Sequence, residues 1–176
     1  MSESKKINQT EVELIKDDLT ALDVESFVFY ARTDLKLGTG YGNAISMRGG
    51  PTIQAELDKM DGAQAGDAVI SGGGLLKAKY IIHAVGPMFQ EENLEDKLKR
   101  TMENVLKAAD EKGITQLAFP MMGVGFYGVL PDQSLTIMFN AIKSHISNSS
   151  GLKKVTICAA DNREYKLVSG KFGMLS

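Results

Sequence analysis

The 176-residue chain has one cysteine, Cys158, and two histidines, His83 and His145. A single thiol cannot close an internal disulfide. So few Cys and His side chains cannot assemble a zinc site of the common kinds, and no metal or cofactor is expected. Cys158 lies in the apolar run 155–160, where an inert buried thiol is expected rather than a nucleophile. Charge of one sign is also lacking: 20 Lys and Arg face 22 Asp and Glu, a formal net charge of −2. Without a basic surplus the chain has no broad electrostatic footprint for nucleic acid or an anionic membrane. A small anion held at one local site remains open. No apolar stretch approaches a membrane span, and the polar residues 1–10 hold no apolar signal core, so a cytoplasmic protein is expected. Internal repeats, low-complexity segments and domain linkers are absent too.

What is present is ordinary globular composition, 43% hydrophobic and 24% charged, which excludes a disordered chain. Residues 1–176 read as one domain, with 1–10 expected to be flexible. Strands are expected at 12–15, 26–31, 67–71, 79–85, 116–119 and 155–160. Gly72-Gly73-Gly74 would close a hairpin between the third and fourth of these. Helices are expected around 44–47, from Pro51 with Ile53 and Leu57 inward, at 93–112, from Pro131, and at 162–168. In the helix at 93–112, Leu98, Met102, Val105, Leu106 and Ala109 recur at helical spacing, and Gly113 ends it. Alternating strands and helices imply a three-layer α/β domain.

Of the eighteen glycines, six form two clusters that each follow a strand. Gly38-Thr39-Gly40-Tyr41-Gly42-Asn43 follows the strand at 26–31, and Gly123-Val124-Gly125-Phe126-Tyr127-Gly128 follows the strand at 116–119. In an open α/β sheet, ligands bind at loops leaving the carboxyl ends of strands. Backbone N–H groups there can hold phosphates without Lys or Arg. A tight turn is the plainer reading of either cluster alone. Neither is a Walker A loop, because no Gly-Lys-Ser/Thr follows, and neither fits the dinucleotide fingerprint.

The strings Gly66-Asp67-Ala68-Val69-Ile70 and Ala78-Lys79-Tyr80-Ile81-Ile82-His83-Ala84-Val85-Gly86-Pro87 resemble the centre of the macro domain family. Ala118-Phe119-Pro120 with Gly123–Gly128 resembles that family's second phosphate loop, and Asp18-Leu19-Thr20 the end of its Gly-Asp-Ile-Thr opening. The matches keep family order from about Val12 to Tyr165. The resemblance implies a mixed six- to seven-stranded sheet between helices, a three-layer α/β/α fold, and a cleft for ADP-ribose or an ADP-ribosylated protein. By the same resemblance, Asp18 accepts from the adenine amine and the Leu19 backbone faces the base; the alternative for Asp18 is a helix N-cap. Gly38, Gly40 and Gly42 lie in the first loop. Gly123, Val124, Gly125, Phe126 and Tyr127 surround the diphosphate and distal ribose. Asn162 and Tyr165 fall near the adenine side, or on an exposed helix face. His83 corresponds to a structural strand histidine, and His145 is expected to be solvated.

The first loop departs from the family. Many hydrolytic members carry Asn-Ala-Ala-Asn where this chain has Phe29-Tyr30-Ala31-Arg32, and a catalytic Asp where it has Gly42 and Asn43. Asn43 cannot serve as a base. Gly123 stands where hydrolases often have Ser. Arg32 either points into the cleft, to meet a phosphate or carboxylate, or is a solvated strand end. The first expectation is therefore a module that binds ADP-ribose without the usual hydrolytic pair. One alternative is a hydrolase of ADP-ribosyl esters, O-acetyl-ADP-ribose or ADP-ribose 1''-phosphate. Another is a repurposed scaffold for a different nucleotide or RNA, with RNA the weakest rival on charge.

Overall fold

A computed structural model describes residues 2–88 and 90–176. In chain order it contains β1 (Ser2–Ile7), β2 (Thr10–Lys16), β3 (Ser26–Tyr30), α1 (Tyr41–Gly49), α2 (Thr52–Asp58), β4 (Ala68–Gly72) and β5 (Tyr80–Ala84). These are followed by α3 (Leu94–Lys112), β6 (Gln116–Phe119), α4 (Pro131–Ser147), β7 (Lys154–Ala159) and α5 (Asn162–Lys171). One sheet has the order β1-β2-β7-β6-β3-β5-β4. Strands β2, β7, β6, β3 and β5 run parallel, and the edges β1 and β4 are antiparallel.

Side-chain alternation along the central strands creates the layers. Strand β3 is buried throughout, and successive side chains leave opposite faces of the sheet. Phe27 and Phe29 enter a core with Ile45 of α1 and Ile53 and Leu57 of α2. Val28 and Tyr30 enter the other core, with Leu98, Met102 and Val105 of α3, Leu135 and Met138 of α4, and Val168 of α5. The expected three layers are therefore present, with seven strands. Helix α3 has acidic Glu95 and Asp96 in its first turn and ends at Gly113 with φ 77°. Pro131 starts α4. The hairpin through Gly72-Gly73-Gly74 forms as expected, with Gly72 opposite Tyr80.

Three expectations need correction. Residues 2–7 form an edge strand instead of a flexible lead-in, paired from Ser2 opposite Ile15 to Ile7 opposite Thr10. Polar Ser, Glu and Lys side chains disguise it, yet such residues are how an edge strand resists further pairing. His145 is not solvated: its Nε2 lies 2.7 Å from Asp110 Oδ2. Asp110 also accepts, at 3.0 Å each, from Ser150 Oγ and the Gly151 N–H, tying α3 to the turn after α4. That partner lies 35 residues away, which helix periodicity cannot reveal. Tyr165 is neither a cleft residue nor on an exposed face; it packs into the core with Val168 and Phe172.

The other two reactive side chains are buried as expected. The Cys158 thiol donates to the Asp17 carbonyl at 3.3 Å, and burial pushes it up to about 12. His83 is 1% exposed, with Nε2 2.7 Å from Ser71 Oγ and its ring edge-on to Phe29 at 5.9 Å. Its Nδ1 has no partner among the described residues.

Burial lowers His83 from 6.5 to about 4. The unfolded chain then binds the extra proton between these values, so stability is lost as pH falls through that window. Denaturant unfolding at pH 7 and pH 5 should show a decline of about 2 kcal/mol that His83→Asn removes. An equal decline in the variant would assign it elsewhere. A Cβ on Gly42 would lie 1.6 Å from the Leu37 carbonyl oxygen. Gly42→Ala should therefore cost about 1–3 kcal/mol by overpacking. Gly125→Ala, with φ +91° but open space around it, should cost about 1 kcal/mol. Thermal melts of the two variants should keep that order.

Candidate functional site

Strands β3 and β6 are parallel neighbours, with Phe27 opposite Ala118. The chain leaves β3 for α1 on one face and leaves β6 for α4 on the other. Loops diverging from adjacent strands leave a crevice beyond their carboxyl ends. Here it is a cleft of about 440 Å³. The first glycine loop gives it Leu37, Gly38, Thr39, Gly40 and Tyr41, and the second gives Gly123, Val124, Phe126 and Tyr127. Phe29, Tyr30 and Arg32 close the strand side, with Pro120 and Met121, and Glu164 reaches in from α5.

Aromatic packing shapes the floor. The Tyr30 hydroxyl donates to the Pro87 carbonyl, and its ring lies 4.7 Å from that of Tyr127. Phe126 stands edge-on to Tyr127 at 5.3 Å, 77% exposed at the rim. Gly123 is required by this packing. Its φ is +74°, and a Cβ would fall 2.6 Å from Val129 and 3.1 Å from the Tyr30 ring. A serine there would clash first with Val129 and would press closely on Tyr30.

Arg32 lines the strand side of the cleft, with half of its side chain open to water. Its Nη2 donates to Asp34 Oδ2 at 2.8 Å, and the Lys36 N–H donates to Asp34 Oδ1 at 2.9 Å. The Lys36 N–H, aided by Arg32, holds the Asp34 carboxyl below the usual carboxylate range. Among the described residues, Arg32 and Glu164 are the charged side chains on the wall.

Asp18, Leu19, Gly42, Gly125 and Asn162 contribute no wall atoms. Gly125 is held between Val124 and Phe126, which do. Asp18 caps the 3₁₀ turn Leu19–Ala21, accepting from the Thr20 N–H at 3.0 Å and the Thr20 hydroxyl at 2.8 Å. Its other oxygen accepts from Arg48. Burial works to raise the Asp18 carboxyl, but hydrogen bonds from Thr20 and Arg48 outweigh it and hold it low. The Leu19 side chain is wholly buried, Gly42 packs on Leu37, and exposed Asn162 accepts from Lys16 Nζ at 2.9 Å. Tyr41 lines the cleft, and the charge of Asp18 reaches it. Burial raises its phenol strongly, and Cys158, Glu164, Asp18 and Asp161 add to the effect.

Sequence reasoning singled out neither Tyr41 nor Glu164 as a cleft residue, and it did not foresee Arg48 as the partner of Asp18. Glu164 had a readable signal in the Asp-x-x-Glu spacing at the start of α5: Asp161 accepts from the Glu164 N–H at 2.8 Å, and Glu164 reaches past the cap to accept from the Ala160 N–H at 2.9 Å. Arg48 had none, being 30 residues from Asp18.

Residues 30–138 match the Macro domain family. An O-acetyl-ADP-ribose deacetylase of Pantoea vagans is 34% identical over 89% of this chain and 95% of its own length. A macro domain-containing protein of Caldanaerobacter subterraneus is 35% identical over 90% and 93%. Among solved structures, the Oceanobacillus iheyensis macrodomain with ADP superposes with a TM-score of 0.94 at 23% identity, over 99% of this chain and 96% of that one. The Trypanosoma brucei macrodomain in complex with ADP-ribose gives 0.86 at 24% identity, over 92% and 69%. Those two likenesses are of fold, and the sequence matches add the ancestry: this chain belongs to the macro domain family.

Proposed function

We propose that the cleft binds the adenosine diphosphate part of ADP-ribose, free or attached to a protein, without cleaving it. The observation that carries this reading is the meeting of both glycine loops on one cleft of about 440 Å³, within the stretch that matches the family. Backbone N–H groups of such loops hold a diphosphate in a chain whose net charge is −2. On this reading Gly38, Gly40, Gly123, Val124 and Gly125 face the phosphates, and Phe126 and Tyr127 wall the far end. Asp18, Leu19 and Asn162 serve the adenine side through the Tyr41–Glu164 region.

A second reading is hydrolysis of an ADP-ribosyl ester, favoured by the name of the Pantoea relative. Phe29 and Arg32 stand in place of the Asn pair of hydrolytic members, and Asp34, the carboxylate paired with Arg32, is held below the usual carboxylate range, which weakens it as a base. Those facts favour binding alone.

Calorimetry should give saturable heat with ADP-ribose and weaker binding of GDP. Asp18→Ala should weaken ADP-ribose by about 1.5–3 kcal/mol through loss of a charged hydrogen bond. The absence of heat with ADP-ribose at high micromolar concentration would sink the proposal. Release of acetate from O-acetyl-ADP-ribose under the same conditions would replace it with the hydrolase reading.

A further inference from the structure

The two charged side chains on the cleft wall have different neighbours. Glu164 belongs with Asp18 and Asp161 around Tyr41. Arg32 stands in an aromatic setting of Phe29, Tyr30, Phe126 and Tyr127. That setting contains no amide side chain, the neutral group best suited to holding a sugar by both donation and acceptance. It does contain a cationic fork.

The fork is only partly used. Nη2 donates to Asp34, and Arg32 makes no other hydrogen bond among the described residues. Both partners are about half exposed, 51% for Arg32 and 44% for Asp34. An ion pair so open to water is weak. A guanidinium on a terminal phosphate is stronger, because two parallel N–H groups meet a doubly charged, tetrahedral acceptor. Asp34 does not depend on Arg32 for its position, since the Lys36 N–H also holds it. The arginine can therefore change partners without disturbing the loop.

We infer that Arg32 makes the cleft selective for an adenine nucleotide ending in a free phosphate over one whose diphosphate is capped by a sugar. This rests on the reading of the cleft as an adenosine diphosphate site. A free terminal phosphate carries charge that a sugar-capped diphosphate lacks, and Arg32 is the wall group that responds to it. Asp34 competes with that phosphate for the same fork and so limits the selectivity.

The test is calorimetry of the full chain in metal-free buffer with ADP, ATP and ADP-ribose, which separates a second from a third phosphate as the group that reaches Arg32. ADP or ATP should bind at least about tenfold tighter than ADP-ribose. Arg32→Ala should shrink that margin to within about threefold, chiefly by weakening ADP and ATP, and Arg32→Lys should restore part of the margin. Asp34→Asn, which removes the competing charge, should widen it. ADP-ribose binding as tightly as both nucleotides, or Arg32→Ala weakening all three alike, would overturn the selectivity and leave the ADP-ribose reading standing. No heat with any of the three would overturn both.

Discussion

The pairing of β3 with β6 is the constraint on which the rest depends. Two parallel strands at the centre of a sheet must be covered on both faces, because each carries apolar side chains above and below. Ser26–Tyr30 meets that demand with aromatic and branched residues from Phe27 to Tyr30. Covering both faces sends α1 to one side and α4 to the other, and the loops that do so cannot meet over the strand ends. The cleft is the geometric remainder of that division. Its existence follows from packing, and only its lining is free to vary with chemistry.

The lining shows how substitutions come as a set. Tyr30 fills space between the sheet and the second glycine loop, and Gly123 and Gly86 are small where its ring passes. A Cβ on Gly86 would lie 2.2 Å from the Tyr30 hydroxyl. Arg32, two residues on, brings its own counter-ion in Asp34. The altered strand end is therefore a repacked unit, with the aromatic ring, the two glycines and the ion pair each making room for or neutralising another.

Much of this was legible in the sequence. Elements with strong periodicity, such as α3 and α4, announced themselves through apolar spacing, Gly113 and Pro131. The two glycine loops announced the site by their positions after strands. What stayed hidden was of two kinds. Strand β1 carries no apolar alternation because neither of its faces is fully buried, so its pattern resembles an unstructured lead-in. The contacts of Arg48 with Asp18, of His145 with Asp110 and of Tyr30 with Pro87 join residues 30, 35 and 57 positions apart. Separations of that size are set by topology, and no local window contains them. Glu164 in place of Tyr165 was a helical-phase error: neighbours on a helix point about 100° apart, so an offset of one residue exchanges core for cleft.

The Tyr30 ring has a consequence for binding entropy. It is anchored at its hydroxyl by Pro87, closely approached by Gly86 and Gly123, and packed at a tilt against Tyr127. Loops that must be ordered by their ligand surrender part of the contact energy to that ordering. A floor already fixed from the sheet surrenders little, and it ties the second loop to the end of β5 as well as to β3. That part of the cleft floor is thus set during folding, before any ligand arrives.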